Sequence, residues 1–562
     1  MVGGLLNLVA IGNQNIILHG NPQKTYWSST YKRITNFGIQ NFRIDYEGLR
    51  QLGLSTETTY QFKIRRYAEL LMDTNFIINI PDIYSPIYPY IDPTDSTNKT
   101  WVPYEFKWIK NLGAMMIKNI RFTIGGNLIQ QLTGTDIVAL ANRDLNATQK
   151  KKWDEMVGNT LDMYEPALAF GRPNVYPNAV YSETGPSEPS IRGKQLRVPL
   201  PVWWALTSQQ SFPLVALQYN ILQIEITLRP IRELYQIRDV TDSVNDFPSI
   251  APNMTNSEHQ FYRFLQTPPA VNINSFLPNN TPYPSTNTSW NENTHLSCQY
   301  CFLSEDESKL FAMHPQKYLV KEYHQTIFKN VAISDKVWLQ NSSGLVLNWM
   351  FLFQRSDVNA RNEWSNFTNW GYDYLPSNIK LLTASIENNP FNDPNIGYGI
   401  DPKNNALTYY HGTGDFHVEN QKNILVQFGI LFDGTVREET RTGNIYLQDQ
   451  QYLKIPGYGS SILSGLHCYN FCLNTSPFNL QPSGAINLSK YSKIEFEFTT
   501  ITPPLDTDSE FFVICDIDNN QQIGVNKTMY KLYKYTYDLY VVEERYNVLT
   551  FLAGNAAMMN AR

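Results

Sequence analysis

The chain has 562 residues and a mass of 64.8 kDa, room for two to four domains at about 100–200 residues each, with cores that need no disulfide or metal. Charged residues are only 17% and mean hydropathy is −0.35, because the polarity comes from 55 Asn, 32 Pro and 30 Gly. A net charge of −6, with Lys150-Lys151-Lys152 as the densest basic run, excludes a nucleic-acid tail, and 13% aromatics with 35 Tyr exclude wholesale disorder.

Residues 1–24 read as an arm. They mix small, apolar and amide residues without strand periodicity and end at the turn signal Gly20-Asn21-Pro22. From Thr25 onward, strand-like segments recur between turn clusters: Phe62–Tyr67, Asn75–Ile80 and Lys118–Ile124. Helix is scarce. Asn146 followed by Gln149 resembles a capping box for a helix over Thr148–Val157, with Gly158 as its stop, and a shorter helix is expected over Asp136–Leu145. Both fall in a long excursion between strands.

Leu222–Leu228 alternates apolar and polar residues at every position, as a half-buried strand does. Gln299–Leu303, Leu345–Phe353, Asn423–Phe432, Phe511–Asp516 and Tyr535–Val541 are further strands, and Ile494–Thr499 alternates like 222–228. Strands spread over the whole chain, rarely broken by helical patterns, point to sandwiches rather than a parallel α/β sheet. The apolar run from Gly344 to Phe353, interrupted by Asn348, fits a buried strand. Ser182–Pro189 and Asp242–Thr294 are low in strand signals and read as surface loops. The segment Phe212–Tyr219 leads into the first alternating strand, and Phe478–Ile486 leads into the second. That echo suggests two copies of one sandwich.

No stretch reaches 18 uninterrupted apolar residues, so no transmembrane helix is expected. Met1–Leu6 has no basic n-region and too short an apolar core for a signal peptide, so cytosolic synthesis is expected. Five Cys do not make a disulfide framework. The ten Asn-x-Ser/Thr sequons, at 98, 146, 253, 279, 287, 341, 366, 474, 487 and 526, are read as chance in an Asn-rich chain.

The search for chemistry returns nothing. Cys298-Gln299-Tyr300-Cys301 would need Cys468 and Cys472 to hold zinc. On strands, residues three apart face opposite sides, and residues four apart lie about 13 Å apart. Buried thiols are the expectation. Asp516–Asn520 opens like a Ca²⁺ loop, but Gln521 and Lys527 stand where Gly and a carboxylate are needed. Gly193-Lys194 is followed by Gln195 where a P-loop has Ser or Thr. The eight His show no ligand spacing, and the charges of Asp433–Glu439 read as a solvated turn. No catalytic, cofactor or metal residue is therefore nominated, and a structural rather than enzymatic role is expected.

Several stretches, in order, resemble one family. The opening carries Gly3–Ala10, Gly20–Thr25 and Tyr31–Phe37. Ile124–Ile129, Val198–Trp204, Pro213–Tyr219 and Leu303–Glu307 follow. Arg361–Asn366, Gln481–Asn487 and Tyr546–Leu549 complete the set. The chain is similar to the major capsid proteins of the nucleocytoplasmic large DNA viruses, of giant, chlorella and iridescent virus type. It departs from them at Ile34, where His is common, and at Leu132–Asp136, where an aromatic-rich stretch is common.

The resemblance implies an all-β fold of two consecutive eight-stranded antiparallel jelly rolls with long loop insertions and little helix. It divides the chain into an arm at 1–24, a first roll at 25–313 with insertions near 130–195 and 237–294, and a second roll with a short tail at 314–562. It further implies a homotrimeric, pseudo-hexagonal capsomer that tiles an icosahedral shell. Implied partners are neighbouring capsomers, minor capsid and penton proteins, and the inner membrane side through the arm, without direct nucleic-acid contact or cofactor. Location in the virion, after assembly in the host cytoplasm, goes with that reading. The alternative is a trimeric scaffold of the same fold that shapes a viral membrane during assembly.

Overall fold

A computed structural model describes every residue except 1, 30, 95, 98, 182–186, 244–246, 271–281, 372–395, 401–406, 412–421, 450, 451, 453–462, 504–511, 516–520, 527–534, 561 and 562. Sixteen strands form its frame. In the first half they are β1 (Phe37–Ile44), β2 (Thr58–Lys63), β3 (Leu70–Ile80), β4 (Ile117–Ile124), β5 (Asn127–Leu132), β6 (Lys194–Pro199), β7 (Leu222–Leu228) and β8 (His295–Leu303). In the second half they are β9 (Gln316–Val331), β10 (Ser334–Trp338), β11 (Leu345–Arg355), β12 (Leu425–Phe432), β13 (Thr435–Thr442), β14 (Leu466–Asn470), β15 (Ile494–Thr500) and β16 (Tyr537–Leu552).

The two halves repeat one topology. The first half has sheets ordered β1-β8-β3-β6 and β2-β7-β4-β5. The second has β9-β16-β11-β14 and β10-β15-β12-β13. Every strand of the first half has its counterpart eight strands later, and all the pairings are antiparallel. This is the jelly-roll order, in which the chain passes between two facing sheets and buries the inward side of each. Among the described residues, no sheet mixes strands from the two halves.

The internal echo is real, but its register differs from the one expected. The two-residue strand Phe212–Pro213 pairs with β3, a single turn of 3-10 helix follows at Leu214–Ala216, and then β7 begins. Its counterpart is Ile486–Asn487 paired with β11, a turn at Leu488–Lys490, and β15. Ile486, not Phe478, is thus the partner of Phe212. The apolar residues of both segments mislead because turn residues vary more freely than the strand that follows.

Other boundaries shift for local reasons. The strand expected over Phe62–Tyr67 runs over Thr58–Lys63, because Ile64 donates its N–H to the Leu222 carbonyl and the chain then turns into β3. The helix at 148–157 forms over Ala147–Val157 (α2), with Asn146 and Gln149 bonded reciprocally and Gly158 as its cap. The shorter helix forms over Gly134–Asp144 (α1). β12 and β13 meet at Asp433-Gly434, both at positive φ (47° and 80°), the geometry a two-residue hairpin requires. Residues 1–24 are not featureless: Gly3–Val9 and Ile16–His19 are short helices without a buried residue. The tail folds back as Asn555–Met558 against β16.

The reading of 242–294 as surface loop fails in its middle. Phe261 and Phe264 are fully buried and pack on Phe106 and Tyr235 with centroids 5.2–6.4 Å apart. Two aromatic anchors suffice to pin a segment whose composition is otherwise that of a loop. Residues 182–186, 244–246 and 271–281 of these two stretches lie outside the described residues, as does the Ca²⁺-like run at 516–520.

Candidate functional site

The most chemically loaded region is the seam between the two halves. It begins in the excursion between β5 and β6. Thr133 opens α1 with a capping box: its side chain accepts from the Asp136 N–H, while the Asp136 carboxylate accepts from the Thr133 N–H at 2.8 Å and from its hydroxyl at 2.9 Å. Gly134 lies so close to the Ala114 and Ile117 carbonyls that a Cβ there would sit 2.5–2.6 Å from them. α1 is thereby pressed against the first roll and carries Arg143 and Asp144 at its far end.

Arg143 is completely buried. Its Nε donates to Asp144 at 2.7 Å and its Nη2 at 2.9 Å. Its Nη1 crosses to the second half, donating to Glu544 on β16 at 2.7 Å and to Asn348 on β11 at 3.3 Å. Lys321 on β9 stands 3.4 Å from the other Glu544 oxygen and donates to the Thr475 and Ser476 carbonyls. Two cations thus meet two anions. Burial pushes the Glu544 carboxyl up, but Arg143 and Lys321 outweigh it and hold the group below its ordinary value. At Asp144 burial prevails over Arg143 and the carboxyl sits above its ordinary value. Burial lowers the Arg143 guanidinium, yet Asp144 and Glu544 carry it well above. A second buried pair, Arg545 with Glu543 at 2.5 Å, follows directly on β16.

Apolar packing surrounds this network. One continuous cluster joins Ile137, Leu140 and Trp203 of the first half to Val320, Met350, Leu352, Cys468 and Val542 of the second. The sandwich core of the second half is separate and holds Trp349, Phe351, Phe353 and Val541. β11 is therefore buried on both faces, which explains why 345–353 reads as a continuous apolar run. Asn348, the one polar break in that run, is the residue that meets Arg143.

Further bridges extend the seam. Trp203 and Tyr318 rings lie 5.3 Å apart, and Phe551 packs on both Phe212 and Tyr318. Gln210 donates to the Leu319 carbonyl at 2.8 Å, and the Gln218 N–H donates to the Gly554 carbonyl at 3.0 Å. The Asn362 amide donates to the Arg232 and Tyr235 carbonyls, each at 2.8 Å. The Trp364 indole N–H donates to the Glu233 carbonyl, and Arg229 lies 4.1 Å over its ring. The stretches Val198–Trp204, Pro213–Tyr219 and Arg361–Asn366, singled out as family-like, thus line this seam.

The residues weighed for chemistry are scattered. Cys298 and Cys468 are fully buried, and burial pushes both thiols up to about 12. Among the described residues no group of three or more His, Cys, Asp or Glu gathers as a metal would require. Gly193 donates to Asp82, and Lys194 pairs with Asp162 at 3.0 Å. Asp433 binds the Ser492 and Lys493 N–H groups at the end of a hairpin. Asn366, one of the sequon residues, is buried and bonded to Thr368 and Trp370. Among the described residues no helix is long and apolar enough to cross a membrane. Sequence reasoning missed Glu543-Glu544-Arg545. Three consecutive charges inside a long strand pattern were the available signal.

The sheets and the seam define a class, the double jelly roll. Two solved structures share it: the Faustovirus major capsid protein, at TM-score 0.60, 12% identity and 94% and 93% coverage of this chain and that one, and PBCV-1 VP54, at TM-score 0.57, 16% identity and 96% and 100% coverage. Residues 25–265 match the family model "Major capsid protein N-terminus". The major capsid protein of Phaeocystis pouchetii virus is 25% identical over 536 residues, 87% of this chain and 91% of that protein. That of Paramecium bursaria Chlorella virus 1 is 22% identical over the full length of both. The match to the Chrysochromulina ericina virus protein, 26% identical, spans 59% of this chain and about half (54%) of that protein. Along most of its length the chain is thus similar to the major capsid proteins of these viruses.

Proposed function

We propose that the protein is the major capsid protein of a large DNA virus and that three copies form a pseudo-hexagonal capsomer that tiles an icosahedral shell. One observation carries the trimer: the duplicated topology is covered unequally. The outer face of β9-β16-β11-β14 is buried beneath the first half. The counterpart sheet keeps Ile39, Asn41 and Arg43 exposed and Asn75, Asn79, Ser297 and Gln299 half-exposed. A second copy that repeats the covering from outside satisfies that face. Two similar rolls per chain and three chains give six similar units around one axis, a closed head-to-tail ring.

The chain divides on this reading into an arm (1–24), a first roll (25–313) and a second roll with tail (314–562). The arm reaches the inner membrane side and minor capsid proteins, and the outer loops meet neighbouring capsomers and penton proteins. The role is structural, without a catalytic step, and the protein resides in the virion after assembly in the host cytoplasm. The test is the solution mass of the folded protein by light scattering, expected near three times 64.8 kDa. A stable monomer with full β signal overturns the capsomer. Presence in mature virions by mass spectrometry separates a shell protein from a transient scaffold.

A further inference from the structure

Between the arm and β1 the chain exposes an unusual stretch. Residues 24–36 carry Tyr26, Trp27, Tyr31 and Ile34, each at least 82% exposed, together with Lys24, Lys32 and Arg33. The first acidic residue of the chain is Asp45. This stretch is therefore rich in exposed aromatic rings, and its only charges are cationic. It enters β1 at Phe37, which pairs with Leu303 at the end of β8.

A complementary surface begins at that same end of β8. The helix Glu305–Met313 connects the two rolls and has no buried residue. Leu310 and Met313 are 57% and 78% exposed and fall on one stripe with Asp306, at helical spacings of four and three. Glu305, Asp306 and Glu307 crowd its first turn. One Glu307 oxygen is shielded from solvent and has no hydrogen-bond partner. Phe37, Ile39 and Phe302, all exposed, continue the apolar patch beside it.

We propose that residues 24–36 of one copy dock on the helix Glu305–Met313 of a second copy. Ile34 and the aromatic rings cover Leu310, Met313 and Phe302, and Lys32 and Arg33 meet Glu305–Glu307. Charge complementarity selects the occupant: an aromatic segment whose only charges are cationic meets a helix whose first turn is acidic, with Glu305 already paired to Lys309 at 2.6 Å. Leu310, Met313 and the large apolar side chains of the segment stay exposed in the single chain. Exchange between copies covers both surfaces at every junction of a closed ring. The proposal rests on the reading that copies assemble, and it is distinct from the role given to residues 1–24.

The test uses full-length protein with the exposed Cys515 replaced by Ser. Copies carrying only Ile34→Cys are mixed with differently tagged copies carrying only Leu310→Cys, assembled and oxidised. The expected product is a disulfide joining the two tags. Reversal of the basic pair (Lys32→Glu with Arg33→Glu) should cut its yield at least fivefold. So should reversal of the acidic turn (Glu305→Lys with Asp306→Lys), and combining the two reversals should restore it. Light scattering and circular dichroism accompany each sample. Trimers without the cross-link overturn this docking and leave the capsomer standing. A disulfide formed only within a chain that carries both Cys substitutions also overturns it. Folded monomers without the cross-link overturn both readings.

Discussion

The two rolls share a strand order and differ in what lies against their outer sheets. In the second roll, β16 and β11 are buried on both faces and β9 only partly, and the outward side holds a closed charge network with Arg143 at its centre. In the first roll the counterpart face is a mixture of amides and arginines that stays partly in water. The lesson is that duplication of a fold does not duplicate its energetics. One face is committed within the chain, where charges must be paired without solvent. The other stays partly in water and, on the proposed assembly, waits for a second copy, so its polar groups must survive exposure.

The comparison can be broken most sharply at Arg143. Removing one partner of a buried pair leaves an unpaired charge, at a cost of about 3–5 kcal/mol. Arg143→Ala should lower stability by that amount in denaturant titration and separate the unfolding of the two halves. Arg197→Ala on the outer face of the first roll, exposed on β6, should change stability by less than about 0.5 kcal/mol. Equal effects would mean that the two faces are not differently committed.

A pH effect of similar size is expected inside the second roll. His467 is buried with its ring stacked 5.2 Å from Phe351, and burial lowers it to about 4. The unfolded chain binds its proton near 6.5 and the folded chain does not until about 4. Stability is fully present above about 6.5 and is lost as pH falls toward 4, by about 3 kcal/mol in all. Thermal melts between pH 7 and 4 should show that slope, and His467→Gln should flatten it.

Smaller effects sharpen the picture. Asn348→Leu keeps the apolar face of β11 but removes an acceptor for Arg143 and a donor to the Tyr469 carbonyl. A loss of about 1–3 kcal/mol is expected, and calorimetry should place it in the second half. Thr133→Ala removes the cap of α1 and should cost about 1 kcal/mol. Deleting residues 1–24, none of whose described residues is buried, should leave both the melting temperature and the trimeric state unchanged while impairing shell assembly. A truncated protein that stays monomeric would overturn the separation of arm and roll.

Much of the fold was legible in order. The alternating segments 222–228 and 494–499 became β7 and β15, the partner strands at the middle of their sheets, because one face of each meets a core and the other meets water. α2 was legible because its cap is a local bond between Asn146 and Gln149. β9 was not among the strands expected from the sequence. Its faces are both partly buried, so no alternation marks its 16 residues. The seam was not legible at all as a site. Arg143 and Glu544 are 401 residues apart, and nothing in either neighbourhood signals the other.

By itself, the sequence determined the all-β class, the repetition of a strand-turn-strand unit and the absence of a recognisable catalytic pattern, because periodicity, turn chemistry and catalytic spacing are short-range properties. It also carried the family resemblance, as ordered short stretches. Only the tertiary structure decided why those stretches matter, by bringing 198–219, 361–366 and the end of β16 to one seam. Burial on both faces, pairing of charges and unequal covering of equal sheets arise from contacts between residues hundreds of positions apart. Such contacts have no local signature, since the free energy that fixes them appears only when the two rolls exclude water from between them.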